Sequence, residues 1–486
     1  MDYLDPKKQS RHRIIMLVGY VVITVAIVIA AIILMYQAYG FGISQQGNVI
    51  QNGLVSISSQ PVSAKISING VNKSQTVSKL VLPSGIYNFK LTRSGYQDWQ
   101  RTIEVQGGSV NHFDYPLLIP SVLKPMKLQD YTSAPLIVSE SPDKRWLIVQ
   151  GLNTPSFKVL DLNNPTKLAT TLDLPLSIYS KVKTSENWQI TEWADDNQHV
   201  VMLHTYDGKS EYILIDRQNI EQSVNLTSTL TLGDVHLSLQ NKKYDQYYVY
   251  ESSTSSLKTI TLSSPTQTSV LERVLAYKTV SSDTVLYVTD AEAPDGKVLL
   301  KMLVGSQVYT LRNLPISSKY LIDIADYGGN QYIAVSVVTD SKIYVYKDPI
   351  GQLKSLPTHV VVPIQVMHIT NPNYLSFSSV EQQFIMAEND NQFAVYDLQY
   401  RNGYKYTFKT QIDSPEVHSD WVDASHMSLV SDGKIILFDF DGNNQQPTVS
   451  ASSKYPPFFS SDYRTMYYLE SLNQTWSLNQ VSLVAN

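Results

Sequence analysis

The stretch from Ile14 to Met35 constrains this chain more than any other feature. It runs 22 residues without a charge and is rich in Ile, Val, Ala and Leu. At about 1.5 Å per helical residue it reaches about 33 Å, enough to cross a bilayer core with slight tilt. Lipid offers the backbone no partners, so such a segment must bond internally as a helix, and Gly19 and Thr24 are tolerated for the same reason. Lys7, Lys8, Arg11 and Arg13 precede it, opposed by Asp2 and Asp5, and no charge follows until Lys65. The asymmetry predicts a cytoplasmic tail of residues 1–13, a transmembrane helix over 14–36 and everything beyond it outside the cell membrane. Tyr36 and Tyr39 suit the far headgroup level. A cleaved signal peptide is the competing reading, with Ala38 and Gly40 as a small-x-small pair, but its apolar core would be shorter, about 7–15 residues. Both readings export the bulk of the chain.

Charge and composition narrow what that bulk can be. Of the net charge of −5 over 486 residues, the first 36 carry +2, which leaves −7 on the remaining 450. A mildly acidic ectodomain repels polyanions, so no nucleic-acid partner is expected. A length of about 450 residues exceeds one core and predicts at least two units. The chain has no cysteine, which excludes a disulfide framework, thiolate zinc sites and a Cys nucleophile. Its 32 tyrosines, together with Val, Ile and Thr, favour strands. No long 3.6-residue period follows the anchor. The expected fold class is an all-β ectodomain behind one N-terminal helix.

Residues 37–52, rich in Gly, Gln, Ser and Asn, read as a flexible linker. From Gly53 the pattern changes to alternation. Leu54–Ser58, Ala64–Ile68, Leu80–Leu82, Ile86–Leu91 and Arg101–Val105 are predicted strands. Asn69-Gly70 and Pro83-Ser84-Gly85 are predicted turns, with positive φ available at Gly85 and Gly95. The order Gly-Leu-Val-Ser-Ile-Ser-Ser-Gln-Pro-Val-Ser-Ala, Ile-Asn-Gly, Leu-Pro-Ser-Gly-Ile-Tyr and Ser-Gly-Tyr-Gln-Asp-Trp resembles a PEGA domain over residues 53–119. The naming tetrapeptide is altered to Pro61-Val62-Ser63-Ala64, and the usual Gly-x-Thr-Pro segment is weak around Lys73 to Thr76. The resemblance implies a small surface β-sandwich without catalysis. Tyr96 and Trp99 are expected to pack over a sheet edge, with a sugar-stacking role for Trp99 as the rarer alternative.

Over residues 120–486 a cassette recurs: polar turn, apolar strand, short turn, second strand. It centres on Trp146–Val149, Val200–Leu203, Tyr247–Tyr250, Val285–Val288, Tyr332–Val335, Phe384–Ala387, Met427–Val430 and Met466–Leu469. The spacing of roughly 38–53 residues is that of β-propeller blades, eight by this count and seven as the alternative. Ser141-Pro142-Asp143-Lys144 and Ser460-Ser461-Asp462-Tyr463 make these cassettes resemble TolB-like propellers of the Ser-Pro-Asp-Gly type. The last copy runs out before a fourth strand. A strand within Leu128 to Val138 is expected to supply it and remove an exposed edge.

Candidate chemistry is sparse. Asp439 to Asn444 has oxygen ligands at alternating positions but lacks the later bidentate Glu of a calcium loop, so a plain turn is expected. Asp195, Asp196, His199 and His204 hint at a metal without fixing a third ligand, and are expected as solvated turn residues. Trp188, Trp193 and Trp421 could line a propeller face or pack between blades. No His-Glu-x-x-His, nucleophile elbow or phosphate loop is present. No catalytic, cofactor or metal residue is therefore assigned. The expected function is a non-enzymatic, single-pass scaffold, adhesion or receptor protein of the cell envelope, held in the membrane by residues 14–36 and binding a protein or envelope glycan. A propeller-type polysaccharide hydrolase or lyase is the enzymatic alternative, and a TolB-like envelope assembly factor a third. Fold analogy does not choose among them.

Overall fold

The structure is a computed structural model and describes residues 6–38, 40–43, 49–281, 283–355, 361–410, 412–413 and 417–484. The apolar stretch forms α1 (Pro6–Ala38), which starts earlier than the predicted span. Proline suits a first helical turn, where its missing N–H leaves no bond unmade. The segment Arg13–Gln37 has mean hydropathy 3.0 and is wholly unburied, long and apolar enough to cross a membrane.

The chain divides into two units, Met1–Val122 and Leu123–Val484. In the first, α1 is followed by β1 (Phe41–Ile43), β2 (Val49–Ile57), β3 (Lys65–Ile68), β4 (Val71–Gln75), β5 (Ser78–Pro83), β6 (Gly85–Thr92), β7 (Trp99–Val105) and β8 (Val110–Phe113). One sheet contains β1, β2, β5 and β8, and the other has the order β4-β3-β6-β7. Val55, Ile66, Phe89, Leu91 and Trp99 fill the space between them. Trp99 is 1 % exposed, so it is core and not a surface platform.

Two local expectations change. The expected linker contains paired strands: β1 lies antiparallel to Val49–Gln51, and the Asn52 N–H donates to the Gly40 carbonyl at 2.7 Å. Backbone pairing, which apolar composition does not report, orders these residues. The middle of that linker, residues 44–48, and Tyr39 lie outside the described residues. Gly85 is not left-handed, whereas Asn69, Gly70 and Gly95 are, at φ 50, 80 and 83. The reason is topological: Asn69-Gly70 closes the β3–β4 hairpin, but β5 and β6 belong to different sheets and need no tight turn.

The second unit contains, among the described residues, eight four-stranded antiparallel sheets in sequence order. Sheets 1 to 7 span residues 137–173, 186–225, 236–271, 274–315, 320–368, 374–407 and 420–450. Sheet 8 takes three strands from residues 458–482 and its fourth from β9 (Met126–Tyr131). That fourth strand pairs with Thr475–Ser482, in register Trp476↔Tyr131 through Gln480↔Met126. Each predicted cassette centre falls on the second strand of one of these sheets.

Both faces of most sheets are covered by neighbours. Phe157 and Val159 of sheet 1 meet Trp188 and Val200 of sheet 2, and Leu214 of sheet 2 meets Tyr247 of sheet 3. Tyr248 joins sheet 3 to Val285 of sheet 4, Leu300 joins sheet 4 to Ile333, and Val345 joins sheet 5 to Ile385. Phe384 of sheet 6 stacks on Phe440 of sheet 7 at 4.1 Å. Leu147 and Leu160 of sheet 1 share a buried cluster with Tyr467 and Leu478 of sheet 8. Double-sided burial explains why these strands read as continuous apolar runs.

Leu478 is fully buried where sheets 1 and 8 meet, and Leu168 is 93 % exposed. Leu478→Ala should destabilise the second unit by about 2–5 kcal/mol in urea unfolding, and Leu168→Ala by less than about 0.5 kcal/mol. Equal effects would contradict this packing.

Candidate functional site

The two signature turns are built alike. The Ser141 and Ser460 hydroxyls each accept from a strand amide, Trp146 and Thr465, at 2.9 Å. The Asp143 and Asp462 carboxylates each accept the amide two residues on, Arg145 and Arg464, at 3.1 Å. Lys144 and Tyr463 hold the left-handed position at φ 58 and 57, where the signature has Gly. Both side chains are half-buried. The Lys144 Nζ lies 3.4 Å from the Val422 carbonyl of sheet 7 and 4.7 Å from the Tyr463 ring centroid.

The strand register shows what stands beside this lysine. In sheets 2, 3, 6, 7 and 8 the first-strand residue opposite the second position of the second strand is Trp193, Leu239, Phe377, Trp421 or Phe459. All five are buried. Sheet 4 has Thr279 there, sheet 5 an exposed Asp326, and sheet 1 has Glu140. A glutamate thus occupies a position that is apolar in most of its counterparts.

One residue earlier the first strands of sheets 1 to 4, 6 and 7 carry Ser139, Glu192, Ser238, Lys278, Ser376 and Asp420, and sheet 5 has Ala325 there, with Asp323 two residues before it. Several of these clamp the next sheet. Ser139 and Ser376 accept the indole N–H of Trp193 and Trp421 at 2.9 and 3.1 Å. Glu192 and Asp323 accept the amides of Leu239 and Phe377 at 2.7 and 2.9 Å. Asp323 also pairs with Lys278 at 3.1 Å. Ser238 of sheet 3 makes no such bond among the described residues, and the pattern changes again at sheets 7, 8 and 1. There the Phe459 amide serves Glu140 of sheet 1, and Asp420 takes its own neighbouring Trp421 amide at 2.8 Å.

The break leaves two unusual carboxyls. Burial pushes Glu140 up to about 8, Lys144 pulls it back, and Asp420 and Asp143 push it further up. Its Oε1 is buried and, among the described residues, meets no hydrogen-bond donor. Asp420 is open to solvent yet raised first by desolvation, which fits a carboxyl in a narrow water-reached space, and Lys144 opposes the shift.

A cavity of about 330 Å³ is lined by Leu275, Tyr277, Tyr320, Ile322 and Tyr374 of first strands and by Tyr250 of the second strand of sheet 3. Tyr374 connects it to the acidic group. Its phenol is pushed up to about 12, first by desolvation and then by Asp420, and its ring stacks on His418 at 4.5 Å. Nδ1 of His418 lies 2.7 Å from the buried Glu388 carboxylate.

The sequence candidates lie elsewhere. Asp195 and Asp196 are exposed, but the histidines are not solvated. Nδ1 of His199 lies 2.5 Å from Asp196, and its ring stacks on Tyr244. His204 is fully buried, 2.8 Å from Glu211 and 3.3 Å from Glu186, and stacked on Trp188 at 3.9 Å. Burial alone would raise Glu211, but bonds from His204, Ser180 and Asn225 bring it down to about 2. Alternation in a strand hides which face is covered by a neighbouring sheet, so solvation was misjudged there. The Asp439–Asn444 segment is a turn whose carboxylates are taken by Asn443 and Asn444. No group able to hold a metal ion is found among the described residues. Trp188, Trp193 and Trp421 are buried between sheets. Sequence reasoning missed Glu140 and Asp420 because only strand register reveals the broken pattern.

Residues 52–119 match the family model of the PEGA domain. No curated protein matches the chain in sequence. Among solved structures, the Dos1 propeller is 15 % identical with TM-score 0.46, over 75 % of this chain and 96 % of that one. The β-propeller domain of Myceliophteria thermophila Cps50 (Swd1) is 11 % identical with TM-score 0.39, over 74 % and 100 %. Porphyromonas gingivalis dipeptidyl peptidase 4 is 10 % identical with TM-score 0.43, over 71 % and 56 %.

Glu140 gives the site a pH signature. The folded protein keeps its proton to about 8, whereas an ordinary glutamate loses it near 4.5. Between those values the folded state binds more protons, so stability falls as pH rises. Glu140→Gln should therefore gain in Tm over the unmodified protein as pH rises from 4.5 to about 8. A pH-independent difference would contradict the assignment.

Proposed function

We propose that this chain is a single-pass surface protein. α1 spans the membrane with residues 1–13 in the cytoplasm, and a PEGA sandwich and a closed eight-bladed β-propeller lie outside. The propeller acts as a non-enzymatic scaffold, adhesion or receptor module for a protein or envelope glycan. One observation carries the reading: the inter-sheet clamps are interrupted at Glu140 and Asp420, and the buried Oε1 of Glu140 has no hydrogen-bond donor among the described residues. Stability alone would favour an apolar residue at position 140, as in sheets 2, 3, 6, 7 and 8, and costly polar groups of this kind mark functional sites. The pairing of β9 with the last strand and the shared cluster of sheets 1 and 8 support ring closure. The matched hydrogen bonds of the two signature turns support a TolB-like type, and an assembly role would differ from the receptor role only in its partner.

A specific observation also favours the enzymatic reading. An acid that stays protonated to about 8 beside a second carboxyl is suited to general acid catalysis on a glycan.

Crosslinking capture from intact cells separates these readings from one another. Discrete partners should be captured by the full chain and lost from a chain ending near Pro120. Glu140→Gln and Asp420→Asn should weaken capture. Partners retained after truncation would overturn the receptor reading. Glycan turnover by the full chain, abolished by Glu140→Gln, would replace it with the hydrolase or lyase reading.

A further inference from the structure

A sheet that covers a core with only one face usually turns a polar face to water. The mixed sheet containing β2, β5 and β8, with β8 parallel to β2, departs from this. Its inner residues Val55 and Ile57 are buried in the sandwich core. On its outer face, Leu54 pairs with Val81 on one side and Val110 on the other, forming an apolar row across three strands. Val81 is 67 % exposed and Val110 48 %. A contiguous uncovered apolar row calls for an occupant.

The row lies close to the end of α1. Only residues 39 and 40 separate Ala38 from Phe41, three steps along the chain that reach at most about 10 Å. The connection is also clamped. Gly40 accepts the Asn52 amide at 2.7 Å, and Asn52 accepts the Gly108 amide at 2.8 Å. Gly40 is left-handed at φ 79, and a Cβ there would stand 2.6 Å from the Asn52 oxygen, so no larger residue fits the clamp. Phe41 meets Tyr36 of the last helical turns at 5.1 Å between ring centroids. A groove of about 680 Å³ runs from Gln37 past Phe41 and Gly108 to Leu54, Val81 and Val110. Gln37, Gln51, Asn52 and Ser109 also line this groove, with Phe41, Leu54, Val81 and Val110 as its apolar side chains.

Charge follows in the order a bilayer surface presents. One row further along β2, Ser56 is flanked by Lys79 and His112, both exposed. Moving away from α1, the face is apolar first and basic next. That sequence matches the acyl boundary followed by the phosphate level. We propose that this outer face of the PEGA sandwich rests on the phospholipid surface in which α1 is anchored, with Leu54, Val81 and Val110 at the acyl boundary and Lys79 toward the phosphates. The inference rests on α1 being a retained membrane anchor.

The absence of native cysteine makes single-cysteine spin labelling direct. The full chain is reconstituted in vesicles of phosphatidylcholine and phosphatidylglycerol. Labels at Val81→Cys and Val110→Cys are compared with Ile23→Cys in α1 and Val71→Cys on β4. The ratio of collisions with oxygen to collisions with a water-soluble nickel chelate is read. Labels at 81 and 110 should give a ratio severalfold above that at 71 and toward that at 23. If 81 and 110 match 71 while 23 reports lipid, the docking is wrong and the anchor stands. If 23 also reports water, the anchor fails and the docking with it. Spin–spin coupling between copies at 81 would assign the face to a second chain and overturn the proposal.

Discussion

Backbone pairing between β9 and Thr475–Ser482 holds the two ends of the second unit together. Without it, the last strand of sheet 8 would present an open row of N–H and C=O groups, a site for aggregation. The partners are about 350 residues apart in the chain, yet loop-closure entropy grows only with the logarithm of length, so the distance adds little to the opposing free energy. The buried cluster of Leu147, Leu160, Tyr467 and Leu478 adds side-chain burial to those bonds. In the proposed ring this junction turns a row of sheets into a closed enclosure. The first strands then surround a common space, and the tyrosine cavity and the acidic group become parts of one site.

That site is best understood as a local departure from a repeated solution. Ser139, Glu192, Asp323 and Ser376 each spend a polar group on clamping the next sheet. Glu140 and Asp420 occupy the junction where that scheme is interrupted. Glu140 reaches a position that is apolar in most other sheets, where desolvation raises it to about 8. Lys144 tempers both carboxyls from a left-handed turn position. The same junction therefore secures the fold and exposes its least conventional chemistry.

Much of the architecture was legible because it rests on local pattern. Apolar runs such as Trp146–Val149 and Met427–Val430 mark second strands, since those strands are covered on both faces. Asn69-Gly70 marks a hairpin because both residues adopt positive φ there. The need for a fourth strand in the last cassette was legible from edge physics, but β9 runs from Met126 to Tyr131, beginning before the expected Leu128 to Val138. What escaped lacked side-chain pattern. β4 reads Val-Asn-Lys-Ser-Gln and is exposed along its whole length, and β1 is held by backbone bonds. The candidate site escaped for a different reason. Glu140 is ordinary in sequence and becomes unusual only when strand register sets it against Trp193, Phe377 and Trp421. The burial of His204 is likewise a property of neighbouring strands and stacked rings.

In the proposed ring the ends of the second unit are joined and the eight sheets close on one another. Native-state hydrogen exchange on the full chain tests it most directly. The account predicts that amides of Met126–Tyr131 and Thr475–Ser482 are protected together, opening with the same free energy as the first strand of sheet 1, Ile137–Glu140. Rapid exchange across Met126–Tyr131, with Ile137–Glu140 still protected, would contradict closure and with it the shared site.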